Sequence, residues 1–177
     1  MSTLVFPAVF AQAESGVEVA GILDSSTTWT QENSPYEITE TIQIPEGVVL
    51  TIEPGVTVTF SGEGNMFLVG GAVQAEGTID ERIVFQGSGV DGFFEVLDYK
   101  GSLTLDYCVL DGAQKLWDIG DGVDHVILRH SEVKNVAEHS GLLHWQKACY
   151  IEYNLFINSS GFGMYNWLGQ DSSATFY

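Results

Sequence analysis

Three ten-residue segments of this chain align at an interval of 23 residues: "LTLDYCVLDG" (103–112), "VILRHSEVKN" (126–135) and "CYIEYNLFIN" (149–158). The apolar or small positions Leu103, Leu105, Cys108 and Leu110 recur as Val126, Leu128, Ser131 and Val133, then as Cys149, Ile151, Asn154 and Phe156. Within each set the spacing is two, three, two. A step of two marks a strand with one buried face, because successive side chains point to opposite sides. The single step of three marks a bend, after which alternation resumes in a new direction. A turn residue follows each bend at a fixed distance, at Gly112, Asn135 and Asn158. A chain that returns to the same place once per interval is a solenoid, each turn roughly 4.8 Å above the last.

No segment carries apolar residues three and four apart over a dozen positions, as an amphipathic helix requires, and 20 glycines are scattered along the 177 residues. The spacing predicts an all-β fold. Upstream, "EGVVLTIEPGVTVTF" reads as strands at 49–52 and 56–60 around a Pro54-Gly55 turn, and further strands are expected near 66–69, 72–75 and 83–86. Residues 14–40 are polar and read as an N-terminal cap, with coils from 41 to 177. Adding 23 to Ile151 gives Ala174, so "ATFY" is expected to open a further, incomplete coil, with the chain continuing beyond it. Cys108 and Cys149 are 41 residues apart, not a multiple of 23, and no disulfide is expected between them.

Lys and Arg total 6 against 24 Asp and Glu, a formal charge of −18. That excess repels nucleic acid and anionic membrane surfaces. No stretch has the roughly 20 unbroken apolar residues of a membrane span. The apolar run Leu4–Ala11 followed by Ala-Gln-Ala suits a signal peptide over 1–13, although no Lys or Arg precedes it. A secreted or cell-surface location is the expectation.

The segment "TWTQENSPYEITETIQIPEGVVLTIEPGVTVTF" resembles the N-terminal part of secreted bacterial and archaeal right-handed parallel β-helix proteins, and "AVQAEGTIDERIVFQG" is similar to the run that follows there. The later rungs resemble the parallel β-helix repeats of the pectin-lyase-like superfamily. The resemblance covers about residues 20–177 and implies a right-handed parallel β-helix of roughly 22–25 residues per coil. It constrains function weakly, since that superfamily holds lyases, hydrolases, epimerases, adhesins and surface proteins. It does imply that inward ladders such as Cys108, Ser131, Asn154 are structural.

Three groups of side chains could carry chemistry. Asp106, Arg129 and Glu152 are 23 apart and should stack, with Arg129 paired to a carboxylate on each side. That is either a surface ion-pair network or, by the analogy of the superfamily's polysaccharide lyases, a base (Arg129) beside calcium ligands (Asp106, Glu152). Tyr107, His130 and Tyr153 form a neighbouring ladder, either covering the bend or offering aromatic faces to a sugar. Asp118, Asp121 and Asp124 in "DIGDGVD" are either a solvated acidic loop or an oxygen-rich calcium site. His125 with His130, and His139 with His144, are five apart, which reverses face on a strand, and no Cys joins them at zinc spacing. Gly-x-Ser-x-Gly and phosphate-loop motifs do not occur.

Two functions follow as expectations. One is an extracellular β-helix module with a structural or glycan-binding role, its partner a polysaccharide or cell-envelope glycan. The other is the N-terminal part of a carbohydrate-active enzyme whose catalytic coils lie largely beyond residue 177.

Overall fold

The computed structural model describes residues 16–137, 142–143, 148–159, 165–166 and 174–175. The strands are β1 (Val17–Ile22), β2 (Thr27–Trp29), β3 (Tyr36–Ile44), β4 (Val49–Ile52), β5 (Thr57–Phe60), β6 (Phe67–Val69), β7 (Ala72–Glu76), β8 (Ile83–Val96) and β9 (Ser102–Asp106). They continue as β10 (Cys108–Ile119), β11 (His125–Arg129), β12 (Glu132–Lys134), β13 (Leu142–Leu143), β14 (Ala148–Glu152), β15 (Leu155–Ile157), β16 (Tyr165–Asn166) and β17 (Ala174–Thr175). The one helical element among them is a 3-10 turn at Gln31–Asn33. Every pairing is parallel, and the strands wind into a β-solenoid of about six turns.

Each turn crosses two sheets. One runs β2-β4-β7-β9-β11-β14-β17, the other β1-β3-β5-β8-β10-β12-β15 with β6, β13 and β16 alongside. The long strands β3, β8 and β10 bend around a corner: their first halves pair with β5, β12 or each other, and their second halves with β6 or β13. Leu50, Val73, Leu103, Val126 and Cys149 are aligned partners on successive turns, as are Ile52, Ala75, Leu105, Leu128 and Ile151. All ten are buried, forming two continuous columns of the core. Burying each of the eight branched side chains among them contributes about 1.5–3 kcal/mol before entropy is counted. Phe60, Phe67, Phe85, Phe93 and Phe94 fill the earlier turns, with centroids 5.3–6.5 Å apart.

The 23-residue register holds from β9 through β14, and Leu103 pairs with Val126 and Val126 with Cys149. It holds also from β2 through β4 to β7, and it departs from 23 in other turns for identifiable reasons. Val73 pairs with Leu103, 30 residues on, because a loop around Thr78–Arg82 and a wider bend at Gly87–Gly89 enlarge that turn. Ala174 pairs with Cys149 and not with Ile151, so the last strand follows at 25 residues and the expected register is corrected by two. The expected boundary between cap and coils at 40/41 falls inside β3, and β1 and β2, within the span read as cap, already pair with the next turn. Cys108 and Cys149 are buried free thiols on different sheets. The proposed signal segment 1–13 and the pair His139/His144 lie outside the described residues.

Candidate functional site

The step of three in the sequence is a left-handed residue. Tyr107, His130 and Tyr153 have φ of 48°, 49° and 53°, and they follow β9, β11 and β14. That conformation strains a residue with a Cβ by about 1 kcal/mol or more. It also swings the next peptide out of the sheet ladder, so its N–H must find a new acceptor. The inward ladder supplies one. Cys108 N–H donates to Ser131 Oγ at 2.9 Å, and Ser131 N–H to Asn154 Oδ1 at 2.9 Å. Ser131 Oγ donates in turn to Arg129 O at 2.8 Å, and Asn154 Nδ2 to Leu128 O at 2.7 Å. Each polar side chain therefore satisfies the bend of the turn before it and is anchored by a strand carbonyl. Burial pushes the Cys108 thiol far up, with the nearby Asp106 carboxylate adding to the effect. It is an inert group.

A second bend repeats this on the outside. Gly112, Asn135 and Asn158 have φ of 93°, 52° and 49°. Asn158 Nδ2 donates to Asn135 Oδ1 at 2.7 Å, and Asn135 Nδ2 to Asp111 Oδ1 at 2.6 Å. The sequence marks these residues as turn formers, but nothing in their spacing tells that their amides join into a chain.

The outward corner beside the first bend gathers several of the expected site residues. Asp106, Arg129 and Glu152 are aligned partners on successive turns. Arg129 Nε donates to Asp106 Oδ2 at 2.9 Å, and His130 Nδ1 lies 2.9 Å from Asp106 Oδ1. A carboxylate oxygen only accepts, so Nδ1 carries the proton of that imidazole. Asp106, though on the outer side of its strand, is buried to 8% exposure under these two partners. The expected pairing of Arg129 with a carboxylate on both sides is met on one. Among the described residues no contact of ion-pair length joins it to Glu152, because the guanidinium is directed at Asp106. Below, Arg82 reaches His130 O at 3.1 Å and Glu132 at 3.9 Å, and Lys134 reaches Glu132 at 2.8 Å. The Lys134 ammonium holds the Glu132 carboxyl below its ordinary range, with Arg82 adding a smaller pull. Three of the six basic residues thus stand at one corner, each facing a carboxylate.

The rings of the ladder lie on one another. Tyr107 and His130 have centroids 4.7 Å apart at 14°, and His130 and Tyr153 are 5.4 Å apart at 2°. The Arg82 guanidinium sits 5.9 Å from the Tyr107 centroid. His130 has both faces covered and Tyr107 has one face on His130 and the cation near the other. Of the expected platform, the faces of Tyr107 and His130 are occupied within the stack, and Tyr153 at its end is 64% exposed.

The acidic loop does not converge. Asp118 pairs with Lys115 at 3.5 Å and Asp124 with His125 at 3.5 Å, while Asp121 N–H donates to Asp98 Oδ1 at 2.7 Å. Among the described residues no three His, Cys, Asp or Glu side chains come together as metal ligands. His125 Nε2 lies 3.2 Å from Thr104 Oγ1, and His130 is held by Asp106, so the two are engaged separately. Both face outward despite the five-residue spacing, because the bend at His130 takes up one residue.

The fold and this corner together define a parallel β-solenoid carrying one ordered polar and aromatic ladder. Comparisons with protein-family models, with curated proteins and with solved structures found no match to the chain. No helix among the described residues is long and apolar enough to cross a membrane.

Proposed function

We propose that the chain is a rigid module of a secreted or cell-surface protein, related to the pectin-lyase-like solenoids, that holds its outer face against an extended glycan. The observation that carries this reading is the corner at Asp106, Arg129 and Glu152 beside Tyr107, His130 and Tyr153, where a charged and a ring side chain stand together on each of three successive turns. An extended polymer can follow a surface that offers a charged and a ring side chain at each step. The role is passive: the solenoid keeps the spacing, and strain at three left-handed residues is offset by ring stacking and by the inward ladder. Titrating the protein with soluble polysaccharides by calorimetry, with and without calcium, tests it. Saturable binding that weakens on substitution of the outer face supports it, and the absence of binding to any glycan contradicts it.

A second reading, the N-terminal part of a carbohydrate-active enzyme, draws on one contact. Asp106 orients His130, and an imidazole can accept a proton near neutral pH whereas an arginine does not release one. In that reading His130 takes the place of Arg129 as base. Turnover of a polysaccharide that disappears in His130→Ala would favour it over the binding module.

A further inference from the structure

The ladder covers the ring faces of Tyr107 and His130, and a ring outside it is the more exposed. Tyr99 is 79% exposed, the highest value among the large apolar side chains described. It precedes β9 as Tyr107 follows it, so the two flank one strand whose five residues span about 16 Å. Its φ is 53°, a strained value for a residue with a Cβ. The equivalent place one turn later is Gly122, at φ 67°, where the same backbone shape costs little. The turn at residue 99 therefore does not require tyrosine. Nor does packing explain it, since most of the side chain stays in water. Two features hold it in place. Tyr99 N–H donates to Asp121 O at 2.6 Å, and its ring lies over Gly122, where a Cβ would collide with the ring carbons. One face is backed by a glycine and the other is turned outward.

Beside the ring runs a groove of about 320 Å³ spanning several turns, at the small end of ligand-sized clefts. Its floor is backbone at Gly47, Gly71 and Gly101, and its walls include Asp124 and the Glu46–Lys100 ion pair, 3.0 Å across. A Cβ at Gly71 or Gly101 would run into neighbouring carbonyls, so those two positions of the floor cannot carry side chains. Beside Tyr99 the apolar side chains of the lining are Val48, Val49 and Ala72, and the walls offer carboxylates and an ammonium to hydroxyl groups.

We infer that Tyr99 is a stacking subsite for an uncharged sugar ring, whose C–H face lies on the tyrosine and whose hydroxyls meet the groove walls. The sugar is uncharged because Glu46 and Asp124 share the groove with a single Lys100, and Asp98 and Asp121 sit beside Tyr99, on a chain of charge −18. The subsite rests on the glycan-binding reading and adds to it a second contact point at the other end of β9.

Calorimetric titration of the intact chain with β-1,4-linked gluco-, xylo- and manno-hexasaccharides, and with polygalacturonate, tests it. Tyr99→Asn removes the ring and keeps a residue that accepts the left-handed backbone; Tyr99→Phe removes only the hydroxyl. Both are first checked for an unchanged melting temperature. The expected result is binding of a neutral hexasaccharide that Tyr99→Phe retains within about threefold and Tyr99→Asn weakens about tenfold. Wild-type affinity in Tyr99→Asn overturns the subsite and leaves the glycan reading standing. Preference for polygalacturonate overturns the neutral-sugar assignment. Wild-type protein that binds none of the probes overturns both.

Discussion

Removing one oxygen atom from the inward ladder isolates what the bends require. In Ser131→Ala the side chain loses the acceptor for Cys108 N–H and the donor to Arg129 O, at 2.9 and 2.8 Å. Ser131 is 1% exposed and Cys108 is wholly buried, so water cannot take the place of the hydroxyl. A stranded buried N–H costs about 1–3 kcal/mol, while Arg129 O loses one of its donors at smaller cost. The deleted atom leaves almost no cavity, so the transfer term is small. The expected destabilisation is about 2 kcal/mol, equivalent to about 4–8 °C in melting temperature for a chain of this size. Urea unfolding followed by far-UV circular dichroism reads it as a lower midpoint at unchanged slope. Amide exchange adds a local readout: the Cys108 N–H should lose protection while the Leu105 N–H, inside β9, keeps its own. A variant within about 0.5 kcal/mol of wild type, or one whose Cys108 amide stays protected, would refute the argument that the ladder satisfies the bends.

Three further outcomes are expected. Cys108→Ser should cost less than about 1 kcal/mol, because Asp106 O and Ala75 O already lie 3.5 Å from Sγ and can accept a hydroxyl; a loss above about 3 kcal/mol in thermal melts would contradict this. His130→Phe keeps the ring stack and strands Asp106 Oδ1, while His130→Ala loses both, so the alanine variant should be less stable than the phenylalanine one by about 1 kcal/mol; equal stabilities would show that stacking contributes nothing. Burial pushes the Cys149 thiol from an ordinary 9.0 up to about 11. The folded state therefore holds that proton more tightly than the unfolded one: its contribution is complete below about pH 9 and is lost as pH rises through about 11. Urea midpoints measured from pH 8 upward should fall less steeply in Cys149→Ala than in wild type, and parallel slopes would contradict the assignment.

The solenoid was legible because the alternation by two and its step of three return at the same positions every 23 residues from Leu103 to Phe156. The strand at 49–52 and the Tyr107, His130, Tyr153 bend could be read directly. Insertions could not be placed, since Thr78–Arg82 lengthens only the path between β7 and β8, and Gly87–Gly89 is a register shift inside the continuous strand β8. The site was legible as a set of aligned positions and not as geometry. Spacing shows that Tyr107, His130 and Tyr153 share a corner, but a left-handed residue can aim its ring along the axis or outward. Only the structure shows the rings lying face to face. The bond from His130 to Asp106 joins residues 24 apart, one off the repeat, and escapes any search confined to the period. Tyr99 could have been found by asking what stands 23 residues before Gly122.

The claim underlying both the ladders and the proposed function is the register that places residue n beside residue n+23 on the next turn. Ile127 and Tyr150 are aligned outward partners on β11 and β14. Adjacent parallel strands lie roughly 4.8 Å apart, within the Cα range a disulfide accepts. The double substitution Ile127→Cys/Tyr150→Cys should form an intramolecular disulfide on mild oxidation, with Cys108 and Cys149 remaining free thiols. A pair that stays reduced, or that links only between molecules, would contradict the register and with it the repeating outer face.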